Sequence, residues 1–227
     1  MKTVSPARLR PVMLVLWAMV ISVAGATFAL NETSVAERMH HRYGDDGLTL
    51  FNTWRTLVKD SADLPEQEQL KHVNDFFNRH ITFRDDQQQW HQQDYWATPL
   101  ETLGVRAADC EDYTIAKYVT LLKLGVSREQ LRLIYVKAQI GGPHSKVFQA
   151  HMVLGYYPAP QAEPLILDNL VSTIERAGKR SDLRPVFSFN NEGLWIGNRG
   201  ESRADPGARL SRWRDVLNRM QADGLYP

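Results

Sequence analysis

The stretch Arg106–Tyr118, RAADCEDYTIAKY, holds the only cysteine in a chain of 227 residues. Asp109 stands directly before Cys110, and Glu111 and Asp112 directly follow it. Acids beside a sulfur disfavour the thiolate, so this setting looks unsuitable for a reactive thiol. Either Cys110 is inert and the acids only start a helix, or something offsets their negative charge.

The same stretch predicts a helix from about Asp109 to Leu124, ended by Gly125. Asp109 is a good N-cap, and Asp112 occupies the capping-box position, so we expect Asp112 to cap the helix. A thiol in the first turn lies near unpaired N–H groups and the positive end of the helix dipole, which lower a thiol pKa. The same N–H groups can bind a developing oxyanion. Position therefore favours a nucleophile at Cys110, whereas local charge does not.

Secondary-structure patterns on the two sides of this helix differ. Before it, helical patterns cover residues 34–44, 48–60 and 63–80, the last with Asp63 as cap, and residues 84–104 read as a structured loop. After it, alternating apolar segments predict strands over 131–139, 148–157, 164–171 and one or two within 184–198, followed by a helix over 209–224. We therefore predict an α+β fold, with N-terminal helices packed on an antiparallel sheet.

The N-terminal segment indicates export. Basic residues precede an uncharged run from Pro11 to Ala29 that ends in small residues, a pattern typical of a signal peptide. The run is also about long enough to be an uncleaved membrane anchor. We predict a signal peptide or anchor over residues 1–29 and a single domain over residues 30–227. The net charge of +1 gives no indication of nucleic-acid binding.

A histidine in a predicted strand offers a base for the thiol. His151 lies in FQAHMVLGYY, and the following YYPAPQAEPL reads as a hairpin connection. A hairpin centred between residues 159 and 160 sets His151 opposite Asp168 and Val153 opposite Ile166, close enough for an imidazole to meet a carboxylate. A purely structural cross-strand pair is the alternative, and a register slip of one residue would separate the two side chains. His144, in a predicted turn, is a weaker candidate for the base.

The segments DYWATPLETL, ADCEDYTIAKY, AHMVLGYY and LILDNL resemble those of the bacterial transglutaminase-like cysteine proteinases. The resemblance covers most of the chain after the leader. It implies a transglutaminase-like, papain-related core with the nucleophilic cysteine at a helix N-terminus. In this family the cysteine is the nucleophile, the histidine is the base and the aspartate orients the histidine. These roles correspond to Cys110, His151 and Asp168.

The resemblance also implies that acids flanking the nucleophile bind Ca²⁺, which the activity requires. Asp109 and Glu111 stand at those positions. A divalent cation would cancel the negative charge around Cys110 and order the loop that presents it. Calcium takes six to eight oxygen ligands, so the remainder should come from carbonyls, water and the preceding loop, where Asp94 is a candidate.

By family likeness, we expect a calcium-dependent periplasmic cysteine endopeptidase. The implied substrate is the N-terminal region of a large cell-surface repeat adhesin, whose cleavage near a di-alanine site releases the adhesin and promotes biofilm dispersal. The implied regulator is an inner-membrane cyclic-di-GMP receptor that sequesters the protease. Two alternatives remain: transglutaminase or amidase chemistry through the same acyl-enzyme, and a non-catalytic calcium-dependent binding module. The complete Cys, His and Asp set argues against the binding module.

Overall fold

The computed structural model describes residues 12–196 and 205–225, with side chains from residue 34 onward. Helices fill the first half of the chain and strands most of the second, so the predicted α+β class is confirmed. In chain order the elements are α1 (Val12–Ser61), α2 (Glu66–His80), β1 (Thr82–Phe83), α3 (Asp86–Gln89), α4 (Pro99–Val105), β2 (Ala107–Ala108), α5 (Cys110–Lys123), β3 (Leu131–Ile140), β4 (Val147–Tyr156), β5 (Leu165–Leu167), β6 (Glu175–Arg176), β7 (Leu183–Phe189), β8 (Leu194–Ile196), α6 (Pro206–Arg209) and α7 (Ser211–Asp223).

The main sheet has six antiparallel strands in the order β6-β5-β4-β3-β7-β8. Side chains on its long central strands alternate between two faces. Leu133, Met152 and Leu154 belong to the main core formed with the helices. Ile134 and Val153 belong to a smaller apolar cluster on the opposite face. Because α5 packs on β3 and β4, its first turn lies against the middle of the sheet.

The predicted helices of residues 34–44 and 48–60 form one element, α1. The two halves meet at a kink at Gly44, whose φ of 66° lies in the left-handed region that favours glycine. The predicted boundary between two helices is therefore confirmed, because the backbone at Gly44 is non-helical and the two helices meet there at a kink. It appears in the sequence as a glycine between two helical patterns.

Two predictions in the helical half are wrong. Asp63 does not cap α2, which begins at Glu66 with Pro65 as its N-cap residue and no side-chain cap. Residues 84–104, predicted as a loop, contain the short helices α3 and α4. α4 begins with a capping box between Thr98 and Glu101. That signal was present in the sequence, but the polar residues around it hid so short a helix.

The predicted leader, residues 1–29, lies partly outside the described residues, because residues 1–11 are not described and no side chains are described before residue 34. The backbone from Val12 onward is helical and continues into the rest of α1. Within the described part of the chain, no helix has both the length and the apolar character needed to cross a membrane.

The β4–β5 hairpin has a different register from the predicted one. Gly155, not Val153, lies opposite Ile166, and the ladder ends with Leu154 opposite Leu167. The connection turns about one residue later than predicted, which shifts the pairing by two residues. Because side chains alternate with a period of two, this shift leaves every side chain on its predicted face.

Candidate active site

Cys110 is the first residue of α5, and Asp109 is its N-cap. The Asp109 Oδ1 atom accepts hydrogen bonds from the main-chain N–H groups of Glu111 at 3.1 Å and Asp112 at 3.3 Å. Asp109 therefore caps the helix as predicted, and it fixes the backbone on which the thiol is mounted.

The first turn of α5 docks on the free edge of β4. β5 ends at Leu167, so its ladder does not reach Met152 on β4. The Met152 N–H instead lies near the sulfur of Cys110, where it acts to lower the pKa of the thiol. On the same edge, Thr114 Oγ1 lies 3.1 Å from the Met152 carbonyl oxygen and 2.8 Å from that of Cys110. The early end of β5 thus makes room for the thiol next to the strand that carries His151.

His151 and Asp168 meet as predicted, although not through the predicted register. The His151 Nε2 atom lies 2.8 Å from Asp168 Oδ1, and the two residues are 4% and 1% exposed. By the observed register, Asp168 follows the end of β5 and lies diagonally across from His151 on the same face. A diagonal pair is within reach of a long side chain such as histidine. Engagement of Nε2 by the carboxylate leaves Nδ1 as the ring nitrogen available for a proton from elsewhere.

Several groups hold the Asp168 carboxylate. The N–H of Leu170 donates to Oδ1 at 3.0 Å, and Nη2 of Arg180 donates to Oδ2 at 2.7 Å. Burial alone would raise the pKa of Asp168, but the hydrogen bonds from His151, Leu170 and Arg180 outweigh it and hold the pKa at about 2. The side chain of Asn78 also donates to the Asp168 carbonyl oxygen at 2.8 Å. Asp168 is therefore an ionised, fixed acceptor for the imidazole.

The thiol itself is in an unfavourable electrostatic setting. Burial, and then the charges of Glu111 and Asp109, raise the pKa of Cys110 well above its usual range. The sulfur lies 2.7 Å from Glu111 Oε2, to which it donates its proton in a hydrogen bond. Among the described residues no hydrogen bond joins the sulfur to the ring of His151. The acids that flank Cys110 in the sequence therefore also disfavour its thiolate in the structure.

A cluster of three aspartates lies beside the thiol. Asp86, Asp109 and Asp112 each bring one carboxylate oxygen within 4.8 Å of the others. Burial, and after it the charges of neighbouring acids, raise the pKa of all three, that of Asp109 to about 10. Like charges this close in a buried site require either protons or a cation.

Two oxygens of the cluster indicate a cation. Asp86 accepts a hydrogen bond from the N–H of Tyr95, and Asp112 accepts one from the N–H of Ala97 at 2.6 Å. The second oxygens, Asp86 Oδ1 and Asp112 Oδ2, are buried and have no hydrogen-bond partner within the described residues 12–196 and 205–225. Buried polar atoms are rarely left unpaired, and carboxylate oxygens are the ligands that calcium prefers. The cluster therefore fits a calcium ion.

The proposed metal ligands are distributed differently from the prediction. Asp109 belongs to the cluster, whereas the Glu111 carboxylate contacts the sulfur. Asp94 forms an ion pair with Arg212 of α7 at 2.8 Å. Asp112 was predicted only as a cap, but its side chain accepts from the loop before α4 and joins the cluster.

Asp86 escaped sequence analysis altogether, because it lies 24 positions before Cys110 and no spacing rule connects the two. A second aspartate directly before it, and the glutamines that follow, gave it the appearance of a solvated loop residue. Its burial, at 5% exposed, shows otherwise.

The C-terminal helix α7 contacts the loop before α4, whose N–H groups donate to this cluster. Arg219 forms ion pairs and hydrogen bonds with Glu101, with the hydroxyl of Tyr95 and with the carbonyl oxygen of Trp96. These loop residues include or adjoin the donors to the cluster, because the N–H of Tyr95 donates to Asp86 and the N–H of Ala97, which follows Trp96, donates to Asp112. The acid cluster thus combines the start of α3 with the start of α5. The loop before α4 donates hydrogen bonds to it, and α7 supports that loop.

Comparison with known proteins agrees with this geometry. The family model described as bacterial transglutaminase-like cysteine proteinase BTLCP matches residues 55–182. A comparison with curated protein sequences found no match.

Solved structures of LapG from Legionella pneumophila are similar to this chain. One is 37% identical with a TM-score of 0.71, covering 83% of this chain and 96% of that chain. An EGTA-treated form is 37% identical with a TM-score of 0.72 at the same coverage. A calcium-bound form is 39% identical with a TM-score of 0.70, covering 82% of this chain and 97% of that one. The transglutaminase-like core predicted from the sequence is confirmed, and the chain belongs to the bacterial transglutaminase-like cysteine proteinases, with the activity of a cysteine protease similar to LapG.

Proposed function

We propose that the protein is a calcium-dependent cysteine endopeptidase in which Cys110 is the nucleophile, His151 the base and Asp168 the residue that orients the base. The observation that carries this proposal is the buried contact of 2.8 Å between His151 Nε2 and Asp168 Oδ1. The contact lies on the strand whose next residue, Met152, has its N–H near the sulfur of Cys110 and its carbonyl oxygen bonded to Thr114 of the same helix turn. A thiol, an imidazole and an orienting carboxylate in this order are the parts that acyl transfer requires.

In the proposed reaction, the sulfur turns from Glu111 toward the ring, and Nδ1 of His151 takes the thiol proton. The thiolate attacks the peptide carbonyl carbon, and the Asp168 carboxylate stabilises the imidazolium that forms. The peptide C–N bond then breaks, and the imidazolium returns the proton to the leaving amine. Water, deprotonated by the same ring, hydrolyses the acyl-enzyme and restores the thiol.

The oxyanion of the tetrahedral intermediate needs N–H donors. Asp109 Oδ1 already accepts from the N–H groups of Glu111 and Asp112. The Cys110 N–H is therefore the first-turn donor that we assign to the oxyanion. Asp109 contributes indirectly, because its cap fixes the direction of that N–H.

We assign calcium binding to Asp86, Asp109 and Asp112. The raised pKa values of all three support it, as do the oxygens of Asp86 and Asp112 that have no hydrogen-bond partner among the described residues. The charge of Glu111 raises the pKa of all three aspartates, so we assign Glu111 as a further ligand. When bound, calcium supplies positive charge that offsets the acids around the thiol. The similar LapG of Legionella pneumophila has a calcium-bound structure, which supports this choice of metal.

The proposed substrate is the N-terminal region of a large cell-surface repeat adhesin, and its cleavage would release the adhesin and promote biofilm dispersal. The proposed location is the periplasm, and the proposed regulator is an inner-membrane cyclic-di-GMP receptor that sequesters the enzyme. The support for these three statements is the family resemblance, together with the apolar leader of residues 1–29. Sequencing the N-terminus of the periplasmic protein tests the location: a start soon after Ala26 or Ala29 supports export with cleavage, and an intact leader in the membrane fraction supports the anchor.

The function is tested by incubating the purified protein with the N-terminal region of the adhesin encoded by the same organism. Cleavage should occur in calcium, stop in EGTA, and return when calcium is restored. Cys110→Ala is the matched control, because alanine is accepted in the first turn of a helix and leaves the acid cluster intact. Cleavage by Cys110→Ala at the wild-type rate would disprove the assignment of the nucleophile.

A further inference from the structure

Arg180 lies directly behind the proposed His151–Asp168 pair. It follows β6 in the chain, is 5% exposed, and has two carboxylates as partners. Its Nη2 atom donates to Asp168 Oδ2 at 2.7 Å and to Asp182 Oδ2 at 2.7 Å, and its Nε atom donates to Asp182 Oδ1 at 2.9 Å. Asp182 thereby fixes the guanidinium in the plane that faces Asp168.

The two oxygens of Asp168 have separate tasks. Oδ1 accepts from His151 Nε2 and from the Leu170 N–H, whereas Oδ2 accepts from Arg180. A carboxylate held at one oxygen only can rotate about its last side-chain bond, and its other oxygen can then replace the first. Holding Oδ2 in place stops that rotation. The imidazole therefore has one acceptor in one position.

We propose that Arg180 is a positioning residue of the protease: it clamps Oδ2 of Asp168 so that Oδ1 holds His151 in the orientation that accepts the proton of Cys110. This inference rests on the proposed triad. Arg180 lies outside that triad and acts through Asp168 rather than by contact with the substrate.

The charges around Asp168 explain why a cation is needed there. His151 faces it from β4, Arg180 and Asp182 from the segment after β6, and the buried Lys117 from α5. Lys117 acts on Asp168 only through its charge, since its ammonium group hydrogen-bonds Asn74 at 2.8 Å. Arg180 is thus the cation that contacts the carboxylate, and its removal would leave Asp168 and Asp182 facing each other without a charge between them.

Arginine is required by geometry as well as by charge. A guanidinium presents several N–H donors in a rigid plane, so one side can hold Asp182 while the other holds Asp168. A lysine ammonium carries charge on a flexible stem and cannot reproduce both contacts in one fixed plane. Arg180→Lys should therefore restore function only in part.

The test uses iodoacetamide, because Cys110 is the only cysteine and its alkylation can be followed by mass without knowledge of the substrate. The thiolate displaces iodide, so the rate reports how readily His151 removes the thiol proton. In the full chain with calcium chloride, Arg180→Met should slow alkylation by roughly tenfold to a hundredfold, the size typical of losing a partner that orients a ligand. Arg180→Lys should fall between Arg180→Met and wild type.

Arg132→Met is the matched control. Arg132 and Arg180 line the same cavity of about 550 Å³ on the sheet face away from the helices. Arg132, however, stacks on Trp195 at 4.0 Å and on Tyr157 at 4.6 Å. Its replacement should leave alkylation at the wild-type rate, which separates loss of the clamp from loss of an arginine on this face.

Rescue distinguishes positioning from support of the fold. Truncation of Arg180 opens its space toward the cavity, so added guanidinium at millimolar concentration should restore alkylation in Arg180→Ala and leave Arg132→Ala unchanged. If Arg180 variants do not fold, as judged by thermal melts, Asp182→Asn tests the same clamp from its exposed side. It keeps Arg180 but loosens its anchor, and we expect alkylation to slow severalfold.

The alkylation rate of His151→Ala is the reference for an enzyme without the proposed base. Slow alkylation in His151→Ala with wild-type rates in Arg180→Met and Asp182→Asn would overturn the positioning role and leave the proposed triad standing. Wild-type alkylation in His151→Ala would remove the triad, and the role of Arg180 with it. Slow alkylation in both, with guanidinium rescue of the arginine variant, supports the proposal.

Discussion

The two groups of buried carboxylates near Cys110 are in opposite electrostatic states. Asp168 is 1% exposed, yet its pKa is held at about 2 by hydrogen bonds from His151, Leu170 and Arg180. Asp112 is fully buried, and its pKa is raised well above the usual range, first by burial and then by neighbouring acids. Burial acts in the same direction on both residues, so the partners decide the outcome. Asp168 has cations supplied by the protein, whereas we propose that the cluster of Asp86, Asp109 and Asp112 takes one from solution.

The largest effect on activity is expected from a change at Asp168, the carboxylate that is paired with His151 and Arg180. In Asp168→Asn, the amide oxygen can still accept from Arg180, but the amide NH₂ then faces His151 Nε2. The ring must accept there and carry its proton on Nδ1, the wrong tautomer for a base toward Cys110. We expect kcat to fall by about 10⁴-fold, as for the equivalent change in a serine protease triad.

Peptide cleavage at saturating substrate measures this loss. His151→Ala should be as inactive, whereas His144→Ala, in an exposed turn, should retain near wild-type activity. Activity within tenfold of wild type in Asp168→Asn would mean that the buried pair has only a structural role.

The next largest effect is expected on calcium affinity, from changes in the acid cluster. Asp86→Asn with Asp112→Asn removes two charged ligands, and we expect calcium affinity to fall by at least about a hundredfold, beyond the loss typical of an indirect partner. Calorimetric titration measures it. Asp94→Asn is the control, because Asp94 pairs with Arg212 and should leave calcium affinity almost unchanged. The double variant Asp109→Asn with Glu111→Gln should also lose affinity. Equal affinities in all the variants would mean that the metal binds elsewhere.

The opposite pKa shifts predict opposite pH dependences of stability. A carboxyl whose folded-state pKa is raised binds its proton more tightly when folded, so stability declines as pH rises from the unfolded value near 4 toward the folded value. For Asp109 that folded value is about 10. In EGTA, the melting temperature should therefore fall by several degrees between pH 5 and pH 9. This is the loss expected when one buried carboxyl keeps a proton that the unfolded chain has released.

Asp168 behaves in the reverse way. Its folded-state pKa of about 2 is depressed, so its contribution to stability is complete above about pH 4 and is lost as pH falls from 4 toward 2. Melting curves with calcium should lose the decline at alkaline pH and keep the decline at acid pH. A flat melting temperature in EGTA across pH 5 to 9 would contradict the charge repulsion inferred for the cluster.

The smallest effect concerns Glu111, which contacts the thiol. Glu111→Gln removes the charge closest to the sulfur, which lowers the thiol pKa and should speed iodoacetamide alkylation in EGTA by roughly tenfold, as expected for about one pKa unit. Glu101→Gln is a suitable comparison, because Glu101 is paired with Arg219 away from the thiol and should not alter the rate. No difference between the two variants would mean that Glu111 does not control the thiol.

Local signals in the sequence were sufficient for the helix that carries Cys110 and for the strands around His151. They failed for the hairpin register, because the length of the turn depends on how residues 157–164 fold back, which no alternating pattern encodes. The contact of His151 with Asp168 nevertheless survived, since a shift of two residues preserves the face of a strand. Had the shift been one residue, the predicted pair would have been separated.

The acid cluster was only half accessible to sequence analysis. The acids around Cys110 signalled a charge problem, and the family resemblance pointed to calcium. Asp112 was given to the helix cap because local rules describe a first-turn acid, whereas its carboxylate meets the N–H of Ala97 from a loop that α7 holds in place. Asp86 reaches the cluster from the start of α3, where the N–H of Tyr95 in that loop donates to it.

The sequence by itself determined the α+β class, the helix N-terminus that presents the thiol, and the faces on which His151 and Asp168 lie, because these follow from local periodicity and capping. Only the tertiary structure decided which carboxylates share a site and which of them is paired with a cation of the protein. Charge interactions depend on distance in space, and burial strengthens them. Arg180 reaches Asp168 by folding back across the sheet, and Asp86 reaches Asp109 by the docking of a loop, so neither pairing could be read from neighbours in the chain.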